Sequence, residues 1–153
     1  MNTYNQPVQL NVVLEQAAAL LLQKYAREEG AFENSNSVKD YLKLKMNQYD
    51  REVFALMLLD SQHRLIRFEP LFFGTINSTN VYPREILKVV LQANAAAVIL
   101  AHNHPSCDVT PSHDDREITE RLVKCGILLG IEVVDHVIVT KEGFFSFRDN
   151  GLI

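Results

Sequence analysis

Two histidines and one aspartate are spaced so that their side chains could meet at one point. His102 and His104 follow the apolar run 95–100, which is hydrophobic along its whole length, as is typical of a strand buried on both faces. Residues two apart at the end of a strand project to the same side, so both imidazoles can face one point while Asn103 faces away. Asp115 falls in the first turn of the next predicted helix, where the helix dipole stabilises a carboxylate.

This set of side chains predicts a metal site. If the intervening loop folds back, two neutral imidazole nitrogens and one carboxylate oxygen converge and leave one position open, the arrangement that catalytic zinc uses. We therefore expect Zn²⁺ to be bound by His102, His104 and Asp115. Zinc lowers the pKa of water from about 15.7 to about 7 in favourable sites, which makes a nucleophile at neutral pH. Because the imidazoles must be neutral to bind, metal affinity should fall at acidic pH.

A purely structural interpretation competes for part of this pattern. The spacing of Ser112 and Asp115 resembles a capping box, with Asp replacing the usual Glu, and taken alone that explanation is sufficient. No capping rule, however, requires two histidines at the end of the preceding strand. The combined spacing H-x-H, seven residues, Ser, two residues, Asp is therefore more specific than either half.

That combined pattern resembles the JAMM (MPN+) metallopeptidase motif. Four further segments are similar to the RadC-like branch of the family: P-R-E-I at 83–86, H-N-H-P-S at 102–106, T-P-S at 110–112 and G-I-E-V-V-D-H at 130–136. The resemblance extends from about Asn36 to the C-terminus. It implies a zinc metallohydrolase, a peptidase or isopeptidase, with the cytidine-deaminase-like JAB/MPN fold.

The resemblance also implies a general base. In JAMM proteins a catalytic glutamate stands just before an apolar strand, and Glu52 holds that position before the run 53–59. General acid–base help is typically worth about 10²- to 10⁴-fold in rate. A solvated charge at a strand end is the competing interpretation of Glu52. Glu85 is the rival base, although a helix dipole explains a carboxylate at that position.

Ser112 has two possible roles. In the family's motif the serine helps to stabilise the oxyanion, and losing such a donor can cost about 10²–10³ in kcat. The competing role is helix N-cap, worth about 1 kcal/mol. Thr110 and Pro111 offer an alternative cap, which would leave the Ser112 hydroxyl available for catalysis.

Two residues fall outside the motif. The RadC-like pattern continues with Gly where this chain has Cys107, and a cysteine tolerates positive φ poorly. Cys107 is also a soft ligand that could occupy the open metal position and silence the site. His136 is more simply explained as a strand residue hydrogen-bonded in place than as a residue supporting a metal ligand.

Length and charge narrow the class of protein. With 153 residues the chain is expected to form one domain with a substantial core. The formal net charge of −4 argues against a nucleic-acid binder, which needs a basic face. No signal peptide or membrane span is predicted, and two cysteines are too few for a disulfide framework. A cytoplasmic protein acting on a peptide or protein substrate is expected, with homo-oligomers possible.

Hydrophobic periodicity predicts an α/β fold, a mixed sheet flanked by helices with an additional N-terminal helix. After a loose polar start over residues 1–10, helices are predicted over 11–29 and 38–46, from Pro83, and from His113 to a stop at Gly130. Strands are predicted over 52–60, 64–68, 71–74, 95–100, 131–140 and 144–147, with a hairpin turn at 141–143. Asn34 to Ser37 is the candidate boundary between an N-terminal helical extension, 1–34, and the JAB/MPN domain, 35–153.

Two other functions stay open at this point. The RadC-like resemblance carries an association with DNA repair, but the chain has no helix-turn-helix signal, basic stripe or aromatic stacking platform. The other alternative is an interaction module that binds a metal without turnover. Salt-sensitive DNA binding would favour the first, and intact ligands without hydrolysis of any amide would favour the second.

Overall fold

The computed structural model describes residues 6–25, 32, 34–74 and 80–153. Within these ranges the helices and strands alternate along the chain. The elements are α1 (Gln6–Tyr25), α2 (Ser35–Met46), β1 (Val53–Leu59), β2 (Leu65–Phe73), α3 (Pro83–Gln92), β3 (Ala97–Asn103), α4 (His113–Leu129), β4 (Glu132–Val139) and β5 (Phe144–Ser146).

The five strands form one mixed sheet in the order β2-β1-β3-β4-β5. Strand β1 runs antiparallel to β2 and to β3, and β5 runs antiparallel to β4. Strands β3 and β4 are parallel, so α4 is the crossover helix that parallel neighbours require. Every residue of the central strands β1 and β3 is buried, which explains the continuous apolar runs 53–59 and 97–101.

Helices cover both faces of the sheet. On one face, α1 and α2 contribute Ala18, Tyr41, Leu42 and Met46 to a core with alternate residues of β1, β3 and β4. On the other face, Ile86 and Val90 of α3 and Leu122 of α4 pack against the remaining residues of those strands. The predicted mixed sheet between helices, with an N-terminal helix, is confirmed.

Several predicted element bounds are wrong. Helix α1 begins at Gln6, inside the segment predicted to be loose, and the predicted end of this helix at residue 29 lies outside the described residues. Helix α2 begins at Ser35 because the Asn34 side chain accepts a hydrogen bond from the Asn36 N–H and caps it. The division of the chain near this cap stays a prediction.

The predicted strands 64–68 and 71–74 are one strand in the structure. Strand β2 continues through Pro70, with a register shift opposite Phe54 and Ala55. Proline is tolerated there because β2 is an edge strand whose outward N–H groups need no partner in the sheet. Strand β3 also extends further than predicted and includes His102 and Asn103.

Other boundaries agree with prediction. Pro83 opens α3, and Gly130 ends α4 with φ 69°, a left-handed conformation that glycine adopts without steric cost. Gly126 lies inside α4, where a β-carbon would come within 2.4 Å of the Ile131 carbonyl oxygen. Glycine at this position therefore allows the chain to turn closely from α4 into β4. None of the helices in the described ranges has the length and apolar character needed to cross a bilayer.

Candidate metal centre

Antiparallel pairing places three candidate residues at one edge of the sheet. Phe54 of β1 pairs with His102 of β3, so the start of β1 and the end of β3 lie side by side. Glu52 directly precedes β1, and His104 directly follows β3. Each of the three residues Glu52, His102 and His104 offers a ligand atom, and these atoms lie within 4.8 Å of one another. They could together bind a metal ion.

Asn103 faces away from this cluster, as predicted. Its amide oxygen accepts a hydrogen bond from the Val53 N–H at 2.7 Å, and its amide nitrogen donates to the Arg51 carbonyl at 2.9 Å. These two bonds clamp the backbone on either side of Glu52. Alternation along β3 thus directs the His102 and His104 imidazoles to the cluster. The Asn103 amide between them holds the backbone of Glu52 in place.

His104 is held by main-chain groups. Its N–H donates to the Val139 carbonyl at 3.0 Å, and its Nδ1 lies 2.6 Å from the Asp108 carbonyl oxygen. A carbonyl oxygen can only accept, so His104 Nδ1 carries the hydrogen. In a neutral ring the lone pair is then on Nε2, which lies 2.8 Å from His102 Nε2.

The loop reaches this arrangement through a left-handed residue. The Cys107 N–H donates to the His104 carbonyl at 3.1 Å and closes a tight turn, with Cys107 at φ 64°. This is the conformation that glycine would adopt more easily. The Cys107 side chain is exposed, with Sγ 4.0 Å from the Pro105 carbonyl, and it is not part of the ligand cluster identified among the described residues.

Asp115 takes part in a helix cap and also lies beside the imidazoles. Its Oδ2 accepts from the Ser112 N–H at 2.8 Å, and its N–H donates to Ser112 Oγ at 3.0 Å. Its Oδ1 is 3.4 Å from His102 Nε2, and its Oδ2 is 3.7 Å from His104 Nε2. The capping box therefore aims this carboxylate at the two nitrogens, so the structural and metal-binding interpretations are compatible.

The two carboxylates differ in their electrostatic environment. Burial alone would raise the pKa of Asp115, but its interaction with His102 and the contacts with Ser112 outweigh burial and hold that pKa well below the ordinary value. Burial raises the pKa of Glu52; His104 opposes this shift, and the negative charge of Asp115 adds to it. Asp115 is thus held in the ionised form that a metal ligand needs. The Glu52 carboxyl holds its proton more readily than an ordinary glutamate does.

The donor set fits a cation. Two imidazole nitrogens 2.8 Å apart can share only one hydrogen, and two facing lone pairs repel unless a positive charge lies near both. Carboxylate oxygens of Asp115 and Glu52 near these nitrogens supply the opposite charge. Mixed imidazole and carboxylate donors suit a divalent transition-metal ion. The rival Glu85 is exposed in the first turn of α3 and is not part of this cluster.

Ser112 is the N-cap of α4, with its hydroxyl oxygen accepting from the Asp115 N–H. The alternative cap at Thr110 and Pro111 is not used, because the extended backbone of Ser112 places its own oxygen over the first turn. Accepting this bond uses a lone pair and not the hydroxyl hydrogen. Ser112 can therefore still donate one hydrogen bond.

A cavity of about 320 Å³ opens beside Asp115 and Glu52. Its wall combines charged and apolar side chains: Glu52, Phe54, Asn80, Val81, Tyr82, Asp114, Asp115, Glu117, Ile118 and Arg121. Residues 75–79 lie outside the described residues, and residues 80–82, which follow them, line this cavity. A molecule occupying the cavity would contact both carboxylates of the centre.

The positions of His136 and Thr119 beside the cluster do not follow from the sequence analysis. His136, predicted to be an ordinary strand residue, lies with its Nε2 2.8 Å from His102 Nδ1. Thr119 is not among the residues that the sequence predicts for the site, and its Oγ1 lies 2.6 Å from His136 Nδ1. Both side chains are buried, and burial holds the pKa of His136 well below its ordinary value. The spacing of four residues between Asp115 and Thr119 on one helix was the available signal.

Comparison with known proteins places the chain among related sequences. The model of a family described as RadC-like JAB domain matches residues 32–152. The chain is 51% identical over 146 residues to a UPF0758 protein of Vibrio cholerae, covering 95% of this chain and 92% of that protein. It is 50% identical over 145 residues to UPF0758 protein IL0240 of Idiomarina loihiensis, covering 95% and 64%. It is also 50% identical over 137 residues to UPF0758 protein YfjY of Escherichia coli, covering 89% and 86%.

Proposed function

The chain belongs to the family of RadC-like JAB domains, and from this premise we propose that it is a zinc-dependent hydrolase of peptide or isopeptide bonds. One observation carries the proposal. Two imidazole Nε2 atoms face each other at 2.8 Å with two carboxylates beside them, at the wall of a cavity. Such a donor set, open on one side, is what a catalytic zinc site requires.

In this proposal His102, His104 and Asp115 hold the metal. A bound zinc ion would polarise the scissile carbonyl and make water acidic enough to attack it. Glu52 accepts a proton from the attacking water on a carboxylate oxygen and then delivers it to the nitrogen of the leaving amine. Its raised pKa suits this double task, because a base that must also act as an acid works best near the pH of the solution.

Ser112 supports the transition state in the same scheme. Its hydroxyl hydrogen donates to the oxyanion that forms as the carbonyl carbon becomes tetrahedral. The substrate lies in the cavity, where Phe54, Tyr82 and Ile118 offer apolar contacts. The proposal includes a cytoplasmic setting, which the two free cysteines Cys107 and Cys125 favour.

Variants at the two glutamates test the proposal. The zinc-loaded protein is assayed against a pool of internally quenched peptides and against peptides linked through a lysine side chain. We expect hydrolysis by the wild type and by Glu85→Gln, the matched control on the exposed start of α3. Glu52→Gln should keep its zinc and lose about 10²- to 10⁴-fold in rate.

Each outcome has a separate meaning. Zinc binding without cleavage of either substrate class would reject the hydrolase and leave a metal-binding interaction module. Loss of zinc in Glu52→Gln would assign Glu52 to the ligands in place of its proposed role as base. Loss of rate in Glu85→Gln with full rate in Glu52→Gln would show that Glu85, and not Glu52, is the general base.

A further inference from the structure

We propose that Thr119 and His136 are positioning residues that fix the tautomer of His102, so that its Nε2 presents a lone pair to the metal. The inference rests on the proposed metal site, although its first test needs no metal. It assigns a role to two buried side chains that lie behind the centre and do not line the cavity. Their contacts form one continuous chain of hydrogen bonds whose direction can be determined step by step.

Thr119 determines the donor-to-acceptor direction of this series of hydrogen bonds. Its Oγ1 lies 2.6 Å from the Asp115 carbonyl oxygen and 2.6 Å from His136 Nδ1. A hydroxyl has one hydrogen, and a carbonyl oxygen can only accept. The hydroxyl hydrogen therefore goes to Asp115, and Thr119 Oγ1 must accept from His136 Nδ1–H.

The same donor and acceptor argument determines the tautomer of His136. A neutral imidazole has one donor nitrogen and one acceptor nitrogen. Because Nδ1 donates to Thr119, Nε2 is the acceptor, and it lies 2.8 Å from His102 Nδ1. His136 is 0% exposed, so solvent does not offer the ring another partner.

The last step reaches the metal ligand. His102 Nδ1 must donate to His136, which leaves the lone pair of the neutral His102 ring on Nε2. That nitrogen faces His104 Nε2 at 2.8 Å and Asp115 Oδ1 at 3.4 Å. In the opposite tautomer an N–H would point at the metal position, and the ring could not bind a cation there.

The chain of bonds also connects two proposed ligands to each other. It begins at the backbone carbonyl of Asp115 and ends at the His102 ring, which itself lies beside the Asp115 carboxylate. Aromatic neighbours restrict the two rings: Phe54 stacks on His102 at 5.8 Å, and Phe147 stacks on His136 at 4.6 Å. Helix α4 and strands β3 and β4 are thus held in one relative position at the centre.

The first test is nuclear magnetic resonance of the metal-free protein, in which nitrogen shifts distinguish protonated from unprotonated ring nitrogens. We expect His136 to be protonated at Nδ1 and unprotonated at Nε2, and His102 to be protonated at Nδ1. A His136 ring protonated at Nε2 alone, or a His102 ring unprotonated at Nδ1, would overturn the inference. This measurement uses the unmodified protein and does not depend on any variant folding.

The second test is metal affinity, measured by zinc competition with a chromophoric chelator. Thr119→Val keeps the shape of the side chain but removes the acceptor for His136, and we expect affinity to fall about 10- to 100-fold, the range for partners of metal-binding histidines. Thr119→Ser should restore it, because serine supplies the same hydroxyl. The matched control is Thr140→Val, since Thr140 is also buried and its hydroxyl accepts from the Gly143 N–H.

The outcomes separate the inference from the proposed function. Equal zinc affinity in wild type and Thr119→Val would reject the positioning role while leaving the metal site intact. An equal loss in Thr140→Val would reduce the effect to general destabilisation and also reject it. A wild type that binds no zinc, but shows the expected tautomers, would reject the proposed function and keep the hydrogen-bond assignment.

Discussion

Asp135 and His136 are neighbours on β4, and both are buried, but their side chains project to opposite faces of the sheet. Asp135 pairs in register with Ile99, which belongs to the core under α1 and α2, whereas His136 pairs with Leu100, on the face covered by α3 and α4. The Asp135 carboxylate accepts from the His136 N–H, the Arg148 N–H and the Ser146 hydroxyl. The His136 ring instead continues a chain of bonds toward His102 and Thr119.

The difference lies in where each hydrogen-bond network ends. Within the described residues, the hydrogen bonds at Asp135 come from donors in β4, β5 and the turn that follows. We call this network closed, and it joins the C-terminal segment to the sheet. The network through His136 ends at the Nε2 lone pair of His102, among carboxylates and another lone pair. A buried polar network that is closed stabilises a fold; one that ends in unshared lone pairs prepares a site for a cation.

The largest effect is expected from Asp115→Asn, which removes a charged oxygen beside the His102 nitrogen where the network through His136 ends. The asparagine oxygen can still accept from the Ser112 N–H, so the helix cap is kept, but the negative charge is lost. We expect zinc affinity to fall by more than the roughly 100-fold upper range for residues that act through a ligand. Unchanged affinity by chelator competition would show that Asp115 is only a cap.

The closed network predicts the opposite pattern. Asp135→Ala leaves the buried His136 N–H and Ser146 hydroxyl and the part-buried Arg148 N–H without their acceptor, at about 1–3 kcal/mol for each buried group. Because these contributions are not additive, we expect the free energy of unfolding in urea to fall by about 2–4 kcal/mol. The folded variant should bind zinc like the wild type; loss of zinc at full stability would contradict the distinction between the networks.

A pH series sharpens the same comparison. Burial raises the pKa of Asp135 above 3.8, although Ser146, Arg148 and His136 oppose the shift. The folded protein therefore holds this proton more tightly than the unfolded chain, and the contribution of Asp135 to stability falls as pH rises from 3.8 through the raised folded pKa. The stability difference between wild type and Asp135→Asn should shrink over that window in urea titrations. A stability difference that grows with pH would mean that folding lowers the pKa of Asp135, contrary to this prediction.

The smallest effect is expected at Cys107, whose turn brings the Asp108 carbonyl to His104. A non-glycine residue at φ 64° carries roughly 1 kcal/mol of strain that glycine lacks. Cys107→Gly should therefore raise the free energy of unfolding by at most about 1 kcal/mol and leave zinc affinity and hydrolysis unchanged. A marked rise in activity would instead show that the thiol competes for the metal position.

The sequence was most informative where local geometry alone determines contacts. The convergence of His102 and His104 follows from the two-residue period of a strand, and the orientation of Asp115 follows from its position three residues after the N-cap. Pro83 and Gly130 predict the ends of their helices for equally local reasons. Assigning Glu52 to the cluster needed the family resemblance, because its proximity depends on antiparallel pairing between strands about fifty residues apart.

The role of His136 could not be predicted by counting residues along β4. The register between β3 and β4 shifts between Val98 and Ile99, so one residue of β4 has no direct partner. Without this irregularity Asp135 would pair with Leu100 and face α4, since one step of register moves every side chain to the other face. A local bulge therefore decides which of two adjacent polar residues contacts His102.

The most direct test of the metal centre is zinc content by mass spectrometry after dialysis against zinc and then zinc-free buffer. Wild type is compared with His102→Ala and Asp115→Ala, and circular dichroism verifies that each protein is folded. We expect about one zinc ion per chain in the wild type and almost none in either variant. A folded wild type without zinc, or both variants retaining a full zinc ion, would contradict the account.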